Sequence, residues 1–138
     1  MGPATTAPRP SRGRRPMTER RRTRQRLEIS REAVRLFRAH GVAATSGEQI
    51  AESVGLSGRT LWRYFRSKES CAEPVLTQFV DAFVDVLRRW PADRSLEEHL
   101  RSDRGDPCTA EDADSALAVI GLSREEPALR AIWLVARP

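Results

Sequence analysis

Two arginines and two aromatic residues lie within the short segment GRTLWRY. Arg59 and Arg63 are four positions apart, so in a helix they lie one turn apart on the same face. An arginine guanidinium can donate two parallel hydrogen bonds to the O6 and N7 atoms of guanine. Beside them, Thr60, Trp62 and Tyr64 carry O–H and N–H donors that can reach phosphate oxygens. This spacing therefore predicts recognition of nucleic acid.

The same segment has an opposite face that is suited to burial. At about 100° per residue, Leu61 and Phe65 fall on one side of a helix and form its apolar stripe. Arg59 and Arg63 point away from that stripe, and no acidic residue follows until Glu69. The competing interpretation is a surface helix whose arginines serve solubility and whose aromatic rings pack on a neighbouring element.

A shorter helix is predicted just before this one. Thr45 and Glu48 have the spacing of a capping box, in which each side chain bonds the other's free backbone N–H. Gly55 is predicted to end that helix in the left-handed conformation. Ser57 is a preferred N-cap for the helix that follows. Two helices joined by a glycine turn are typical of a helix-turn-helix, and this favours DNA binding over a merely solubilising surface.

Residues 24–70 resemble the DNA-binding domain of the TetR family of bacterial transcriptional regulators. The resemblance rests on a first helix ending in HG, the segment TSGEQIA, a GLS turn, and TLWRYF followed by SKE. It implies an all-helical dimer whose third helix enters the major groove of double-stranded DNA. It also implies that a fourth helix transmits ligand occupancy from a C-terminal domain.

The resemblance also implies roles for individual residues. By position, the residues that would read bases are Gly58, Arg59, Thr60 and Arg63. The residues that would hold phosphate are Thr45, Trp62, Tyr64 and Lys68. Gly58 has no side chain, so it can offer only close approach or a backbone contact. Lys68 is the only lysine of the chain, and its compact ammonium group suits a phosphate.

Charge is divided unevenly between the two halves of the chain. Residues 1–70 carry 16 basic and 6 acidic side chains, a net charge of +10, whereas residues 71–138 carry 8 and 13, a net charge of −5. Such a division is typical of a protein that meets a polyanion at one end. The length of 138 residues suits one compact domain, or a small domain with part of another.

Several classes of protein are not favoured. No apolar run reaches the ~18 residues of a bilayer span, and no secretory signal is evident, so we expect a cytoplasmic protein with no membrane partner. Cys71 and Cys108 are too few for a disulfide scaffold, and we expect free thiols. No residues have metal-ligand spacing, and no nucleophile lies near a base in a recognisable pattern. We therefore predict no metal, no cofactor and no catalytic residues, and a protein that is not an enzyme.

The N-terminal part is predicted to comprise a tail and a helix. Residues 1–22 are rich in proline and arginine without apolar periodicity, which predicts a disordered basic tail. The tail is either an arm that enters a narrow A·T minor groove or a source of nonspecific attraction to phosphate. Helix one is predicted from about Arg24 to His40, so the helix-turn-helix domain spans residues 23–69. The buried stripe of helix one is predicted at Ile29, Ala33, Leu36 and Phe37.

A long helix is predicted to follow, from near Ser67 to Trp90. Pro74 conflicts with a regular helix because it lacks an N–H and clashes with the carbonyl of Ser70, which costs ~3 kcal/mol in a helix interior. Either the helix is kinked at Pro74, or its regular part starts later.

Residues 70–138 are predicted to form a partial helical ligand and dimerisation domain. Three capping pairs predict further helices: Ser95 with Glu98, Thr109 with Asp112, and Ser123 with Glu126. Because no β-alternation occurs, the fold is predicted to be all-α: a three-helix helix-turn-helix domain, a long linking helix and an incomplete helical regulatory domain. Four aromatic residues are either an apolar effector pocket or ordinary core: Phe79, Phe83, Trp90 and Trp133.

Two functions are consistent with these features. The first is a sequence-specific DNA-binding transcriptional regulator, a repressor that responds to an unidentified small molecule. The resemblance weakens after residue 90, and the helices that would form most of the family's dimer interface would follow Pro138. A homodimer is thus expected from the family but not from this length. The second function is a truncated interaction protein that pairs with a full-length relative and modulates its DNA binding.

Overall fold

A computed structural model describes residues 10–103 and 108–135, with the side chains of residues 18–103, 108–132 and Leu134. The regular elements in this part of the chain are all helical, which confirms the predicted fold class. In chain order they are α1 Pro10–His40, α2 Gly47–Ser53, α3 Gly58–Tyr64, a 3-10 helix Glu69–Ala72, α4 Glu73–Arg88, α5 Leu96–Ser102, α6 Ala110–Leu122 and α7 Pro127–Val135. None of these helices combines the length and apolarity that crossing a membrane requires.

Helix α1 is longer than the sequence suggested. It begins at Pro10, so the prediction of a disordered tail over residues 1–22 is wrong from residue 10 onward. Residues 1–9 lie outside the described residues. Met17, Glu19 and the arginines at positions 20–22 are good helix formers, and extending over these residues a helix that the core has already nucleated costs little free energy. The prediction failed because apolar periodicity reports burial and is silent about an exposed helical extension.

The second half of α1 lies in the protein interior. The four positions predicted to be buried are 0–9% exposed: Ile29, Ala33, Leu36 and Phe37. The helix ends at Gly41, whose φ of +88° lies in the left-handed region that favours glycine. The predicted stripe and the predicted end of the helix at His40 are therefore confirmed.

One hydrophobic core joins the two halves of the described chain. It contains apolar side chains from the helix-turn-helix and from the C-terminal helices: Ile29, Phe37, Ile50, Leu61, Leu76, Val119 and Leu129. Helices α6 and α7 thus pack against the same core as α1 to α3. Packing is continuous across the domain boundary predicted between residues 69 and 70, and that boundary stays a prediction.

Helix α4 resolves the alternatives that Pro74 left open. The 3-10 helix separates α3 from α4, and α4 begins at Glu73. Pro74 consequently lies in the first turn of α4, where a missing N–H leaves no hydrogen bond unmade. The regular helix starts later than Ser67, and Pro74 does not kink a helix interior.

Two of the three N-caps predicted in the C-terminal half are present. Ser95 accepts from the backbone N–H of Glu98, and Thr109 accepts from that of Asp112, so both caps are confirmed. The predicted cap at Ser123 is wrong. Its hydroxyl donates to the carbonyl of Ile120 at 2.7 Å, and α7 begins only at Pro127.

Within the described part of the chain, two ion pairs connect α1 to α6. The Arg31 guanidinium donates to both carboxylate oxygens of Asp112, at 2.9 and 2.8 Å. Arg38 donates to Asp114 at 3.0 Å. Asp112 is buried, whereas Asp114 is exposed. The bidentate pair fixes the distance and angle between the helices better than a single contact does.

Candidate nucleic-acid interface

The turn between α2 and α3 has the geometry that the glycine predicted. Gly55 has a φ of +74°, and the backbone N–H of Leu56 returns to the carbonyl of Ala51 at 2.8 Å. Ser57 then accepts from the N–H of Thr60 at 3.1 Å, as expected of an N-cap. The turn and the cap together set the angle at which α3 leaves α2.

Helix α3 has one buried and one open face. Leu61 and Phe65 are 0% and 4% exposed. Arg59 and Arg63 are exposed, and neither forms a hydrogen bond or ion pair with any residue that the structure describes. Two guanidinium groups are therefore available on the outer face of the helix.

The first cap of this motif differs from the prediction. Ser46, not Thr45, is the N-cap of α2, and it forms its capping box with Gln49 rather than Glu48. Thr45 is 2% exposed, and its hydroxyl donates to the carbonyl of Gly41 at 2.8 Å. The Thr45 side chain therefore lies inside the protein and not on the surface where a phosphate donor was predicted.

Lys68 also makes contacts that the sequence did not predict. Its ammonium group donates to the carbonyl of Val42 at 2.7 Å and to that of Thr45 at 2.9 Å. These carbonyls belong to the segment that joins α1 to α2. Two of the three ammonium hydrogens thus hold this segment against the end of α3, and a phosphate contact from Lys68 stays a prediction.

Trp62 lies directly against the start of α2. A Cβ atom built on Gly47 would be 2.2 Å from Cζ2 of the indole ring, so any larger residue at this position must displace the ring. The ring is still 42% exposed, and its N–H makes no hydrogen bond within the described part of the chain. Trp62 therefore spaces α2 from α3 and keeps a donor free. No pattern in the sequence had indicated the role of Gly47.

Tyr64 connects α3 to the N-terminal part of α1. Its hydroxyl donates to Oε1 of Gln25 at 2.7 Å, and the Arg22 guanidinium lies 5.6 Å from the centre of its ring. Arg26 lies 4.9 Å from the ring centre of Phe65. Cation–π contacts of this kind contribute about 0.5–1 kcal/mol at exposed sites. No local pattern links Arg22, Gln25 and Arg26 to α3, since they lie about 40 positions away in the sequence.

Helices α1 and α3 border a cleft of about 250 Å³ beside the outer face of α3. Its lining residues are Thr18, Arg21, Arg22, Gln25, Thr60, Arg63 and Tyr64. Three of these are arginines and none is acidic. The cleft is therefore a basic extension of the surface that carries Arg59, and we call it the α1–α3 cleft.

Of the four aromatic residues predicted for an effector pocket, the three whose side chains are described do not line an enclosed site. Phe79 stacks on Phe83 with ring centres 6.3 Å apart, but Phe83 and Trp90 are 43% and 42% exposed. Trp90 donates its indole N–H to the carbonyl of Arg94 at 2.7 Å. The side chain of Trp133 lies outside the described residues. The described members of the set are surface or helix-packing residues.

Comparison with known proteins identifies the same segment. Residues 29–75 match the family described as bacterial regulatory proteins, tetR family. The chain is 40% identical over 76 residues to the HTH-type transcriptional regulator TcmR of Streptomyces glaucescens, a match covering 55% of this chain and 34% of that protein. It is 37% identical over 57 residues to the HTH-type transcriptional repressor KstR2 of Mycolicibacterium smegmatis, covering 41% and 28%. These matches span about one third of the length of the curated relatives.

Proposed function

Because residues 29–75 match the tetR family of bacterial regulatory proteins, we propose that the chain represses transcription by binding double-stranded DNA sequence-specifically. The observation that carries the proposal is the open face of α3, where Arg59 is exposed and unpaired among the described residues while Leu61 is fully buried. The description of the relative KstR2 as a transcriptional repressor supports the direction of regulation.

We propose that Arg59 and Thr60 read base edges in the major groove. Arg59 suits guanine because its guanidinium can donate to O6 and N7 together. The Thr60 hydroxyl already accepts from Ser57 at 3.0 Å, so its remaining hydrogen can donate to a base. Gly58 at the helix start allows the DNA to approach closely. Trp62, with its free indole N–H, is the best-placed phosphate donor of those predicted from the sequence.

Regulation and assembly form the second part of the proposal. A homodimer would place two copies of α3 about 34–36 Å apart on a palindromic site. A small-molecule effector would act through the packing of α6 on α1, which the Arg31–Asp112 pair supports. The protein would act in the cytoplasm, where bacterial DNA is located.

The test is selection of duplexes from a randomised pool by the purified chain. The dissociation constants of the selected duplex and of a scrambled duplex are then compared at one salt concentration. We expect the selected duplex to bind about 10³-fold more tightly or better, as specific DNA-binding proteins do. Equal affinity for both duplexes would contradict sequence-specific regulation.

The second candidate function, pairing with a full-length relative, has one supporting observation. Leu117 of α6 and Leu134 of α7 are 56% and 67% exposed, and exposed apolar side chains favour association. The mass of the chain in solution, alone and mixed with a longer relative, distinguishes the two functions. A mixed dimer with reduced DNA affinity supports pairing, and a homodimer that binds the selected duplex excludes it.

A further inference from the structure

We propose that the α1–α3 cleft receives one phosphate group of the DNA backbone, held jointly by Arg21 of α1 and Arg63 of α3. This inference rests on the proposed DNA binding and deepens it. It divides the work of the two outward arginines of α3: Arg59 reads bases, and Arg63 holds the backbone. It also gives the N-terminal extension of α1 a function in binding.

The lining of the cleft suits a phosphate group. Arg21 and Arg63 face it from opposite helices, and Thr18 and Thr60 add hydroxyl groups. A guanidinium matches the planar spacing of two phosphate oxygens, and hydroxyl groups are common partners of the DNA backbone. The volume of about 250 Å³ is larger than one phosphate group requires and leaves space for the adjoining sugar.

Ion pairing along α1 distinguishes this end of the helix from the rest. Arg31, Arg35 and Arg38 each pair with a carboxylate. Toward the N-terminal end, neither Arg20 nor Arg21 forms an ion pair with any described residue. Arg21 and Arg24 lie three residues apart on α1, and like charges at this spacing on a helix repel each other, so the arginine cluster is unfavourable until an anion binds beside it.

The walls of the cleft are held in place before any ligand arrives. The hydrogen bond from Tyr64 to Gln25, at 2.7 Å, ties α3 to α1 at the base of the cleft. Arg22 lies over the Tyr64 ring, which fixes the next turn of α1. A site assembled in advance loses little conformational entropy on binding. Gln25, Arg22 and Tyr64 are thus positioning residues for Arg21 and Arg63.

A phosphate group of the DNA backbone is favoured as the ligand over a free phosphate ion. Arg63 lies one helical turn from Arg59 on the same open face of α3, so a duplex that reaches Arg59 brings its backbone close to the cleft. A free anion would gain only the local contacts, whereas a DNA phosphate is delivered by the rest of the interface. The three arginines that line the cleft, Arg21, Arg22 and Arg63, are exposed, so the cleft is open to solvent on their side.

The first test compares two matched variants on nonspecific DNA. Arg21→Gln and Arg20→Gln remove the same charge from exposed neighbouring positions of α1, and only Arg21 lines the cleft. We expect Arg21→Gln to reduce the slope of log affinity against log salt by about 0.9, the contribution of one phosphate contact. Raising salt from 50 to 200 mM would then cost this variant about 3.5-fold less affinity than wild type. An equal reduction of the salt slope in Arg21→Gln and Arg20→Gln would overturn the proposal.

The second test locates the phosphate on the selected duplex. Phosphates are ethylated singly, and those whose ethylation weakens binding are mapped for each variant. We expect wild type and Arg20→Gln to share one sensitive phosphate that Arg21→Gln and Arg63→Gln both lose. An unchanged map for Arg21→Gln would overturn the proposal.

A third measurement tests for binding of a free anion. The midpoint temperatures of thermal unfolding are measured for all variants, with and without inorganic phosphate. Stabilisation of wild type but not of Arg21→Gln by inorganic phosphate at millimolar concentration would assign the cleft to a soluble anion instead.

These outcomes are separable from failure of the proposed function. The salt slope is measured on nonspecific duplex and needs no preferred sequence. If wild type shows no sequence preference while Arg21→Gln still lowers the slope selectively, repression fails and the phosphate site stands. If wild type is sequence-specific and both α1 variants behave alike, the phosphate site fails and the regulator stands.

Discussion

At the scale of single residues, identical side chains on α3 have different surroundings. Arg63 borders the α1–α3 cleft, and Arg59 does not. Arg59 lies next to Gly58 in the first turn of the helix, the part that reaches base edges in helix-turn-helix complexes. The helical period correctly placed both arginines outward, but it could not show that a second helix lies beside only one of them.

We predict that Arg59→Ala weakens binding to the selected duplex by about 1–3 kcal/mol and relaxes the preference at one base pair. The physical reason is loss of the two parallel hydrogen bonds to one base. Dissociation constants for the selected duplex and its single-base variants check this. Arg88→Ala, which removes an exposed arginine at the end of α4, is the control. An equal loss on selected and scrambled duplexes would argue against base reading by Arg59.

We predict that Gly47→Ala destabilises the fold by about 1–3 kcal/mol, the usual cost of overpacking. The added Cβ would lie 2.2 Å from the Trp62 ring and must displace it. Gly58→Ala is the matched control, because the nearest atom to its Cβ is 3.8 Å away and such changes add about 0.4–1 kcal/mol of stability. Chemical denaturation measures both. If Gly47→Ala is as stable as wild type, the indole does not set the spacing of α2 and α3.

At the scale of helices, α6 is attached to α1 by a polar contact as well as by the core. Asp112 lies in the first turn of α6, where its charge also interacts favourably with the helix dipole. The adjoining Arg31 guanidinium lowers the pKa of the Asp112 carboxyl below its ordinary value, because hydrogen bonding and charge both favour the ionised form. The contact therefore depends on the ionised state of one buried carboxylate.

We predict that Asp112→Asn lowers the free energy of unfolding by about 1.5–3 kcal/mol, the range for hydrogen bonds to charged groups. Asn keeps the shape but cannot accept two bonds from Arg31. Asp114→Asn is the control, since its pair with Arg38 is exposed on both sides and such pairs contribute about 0–1 kcal/mol. Urea unfolding of both variants at neutral pH measures the difference. Equal losses of unfolding free energy in the two variants would show that the buried ion pair of Asp112 stabilises the fold no more than the exposed pair of Asp114 does.

At the scale of the whole molecule, we expect low pH to reduce the stability of the fold, because it protonates the carboxylates of the ion pairs. The pKa of Asp112 is lowered by Arg31, and the pKa of Glu32 is lowered by Arg35 and Ser53. A carboxyl whose pKa is lower in the folded state contributes stability above its unfolded pKa and loses it as the pH falls through the folded value. Stability should therefore be constant near neutral pH and decline below about pH 4.

We also predict how the contact between α1 and α6 responds to acid. The difference in unfolding free energy between wild type and Asp112→Asn should shrink as the pH falls from 5 to 3, because protonated Asp112 resembles Asn. Denaturant titrations at pH 7, 5, 4 and 3 provide the measurement. A difference that stays constant down to pH 3 would mean that the charge of Asp112 is not what binds α6 to α1.

Interactions between residues that are close in the sequence determined where most of the helices of this protein begin and end. Helix periods, glycine stops and the caps at Ser57, Ser95 and Thr109 could be predicted because each depends on neighbours within four residues. The buried and open faces of α3 could be predicted for the same reason, and so could the helix-turn-helix itself. The late start of α4 was one of two alternatives that Pro74 allowed.

Tertiary structure decided which polar groups are available. Thr45 and Lys68 have the side chains of phosphate donors, but the fold brings main-chain carbonyls to both. The α1–α3 cleft arises because Gln25 and Tyr64 meet across 39 positions of sequence. Burial and partner choice depend on such distant contacts, which no local pattern encodes. The sequence by itself determined that a basic helix faces outward, and only packing decided which of its donors remain free for DNA.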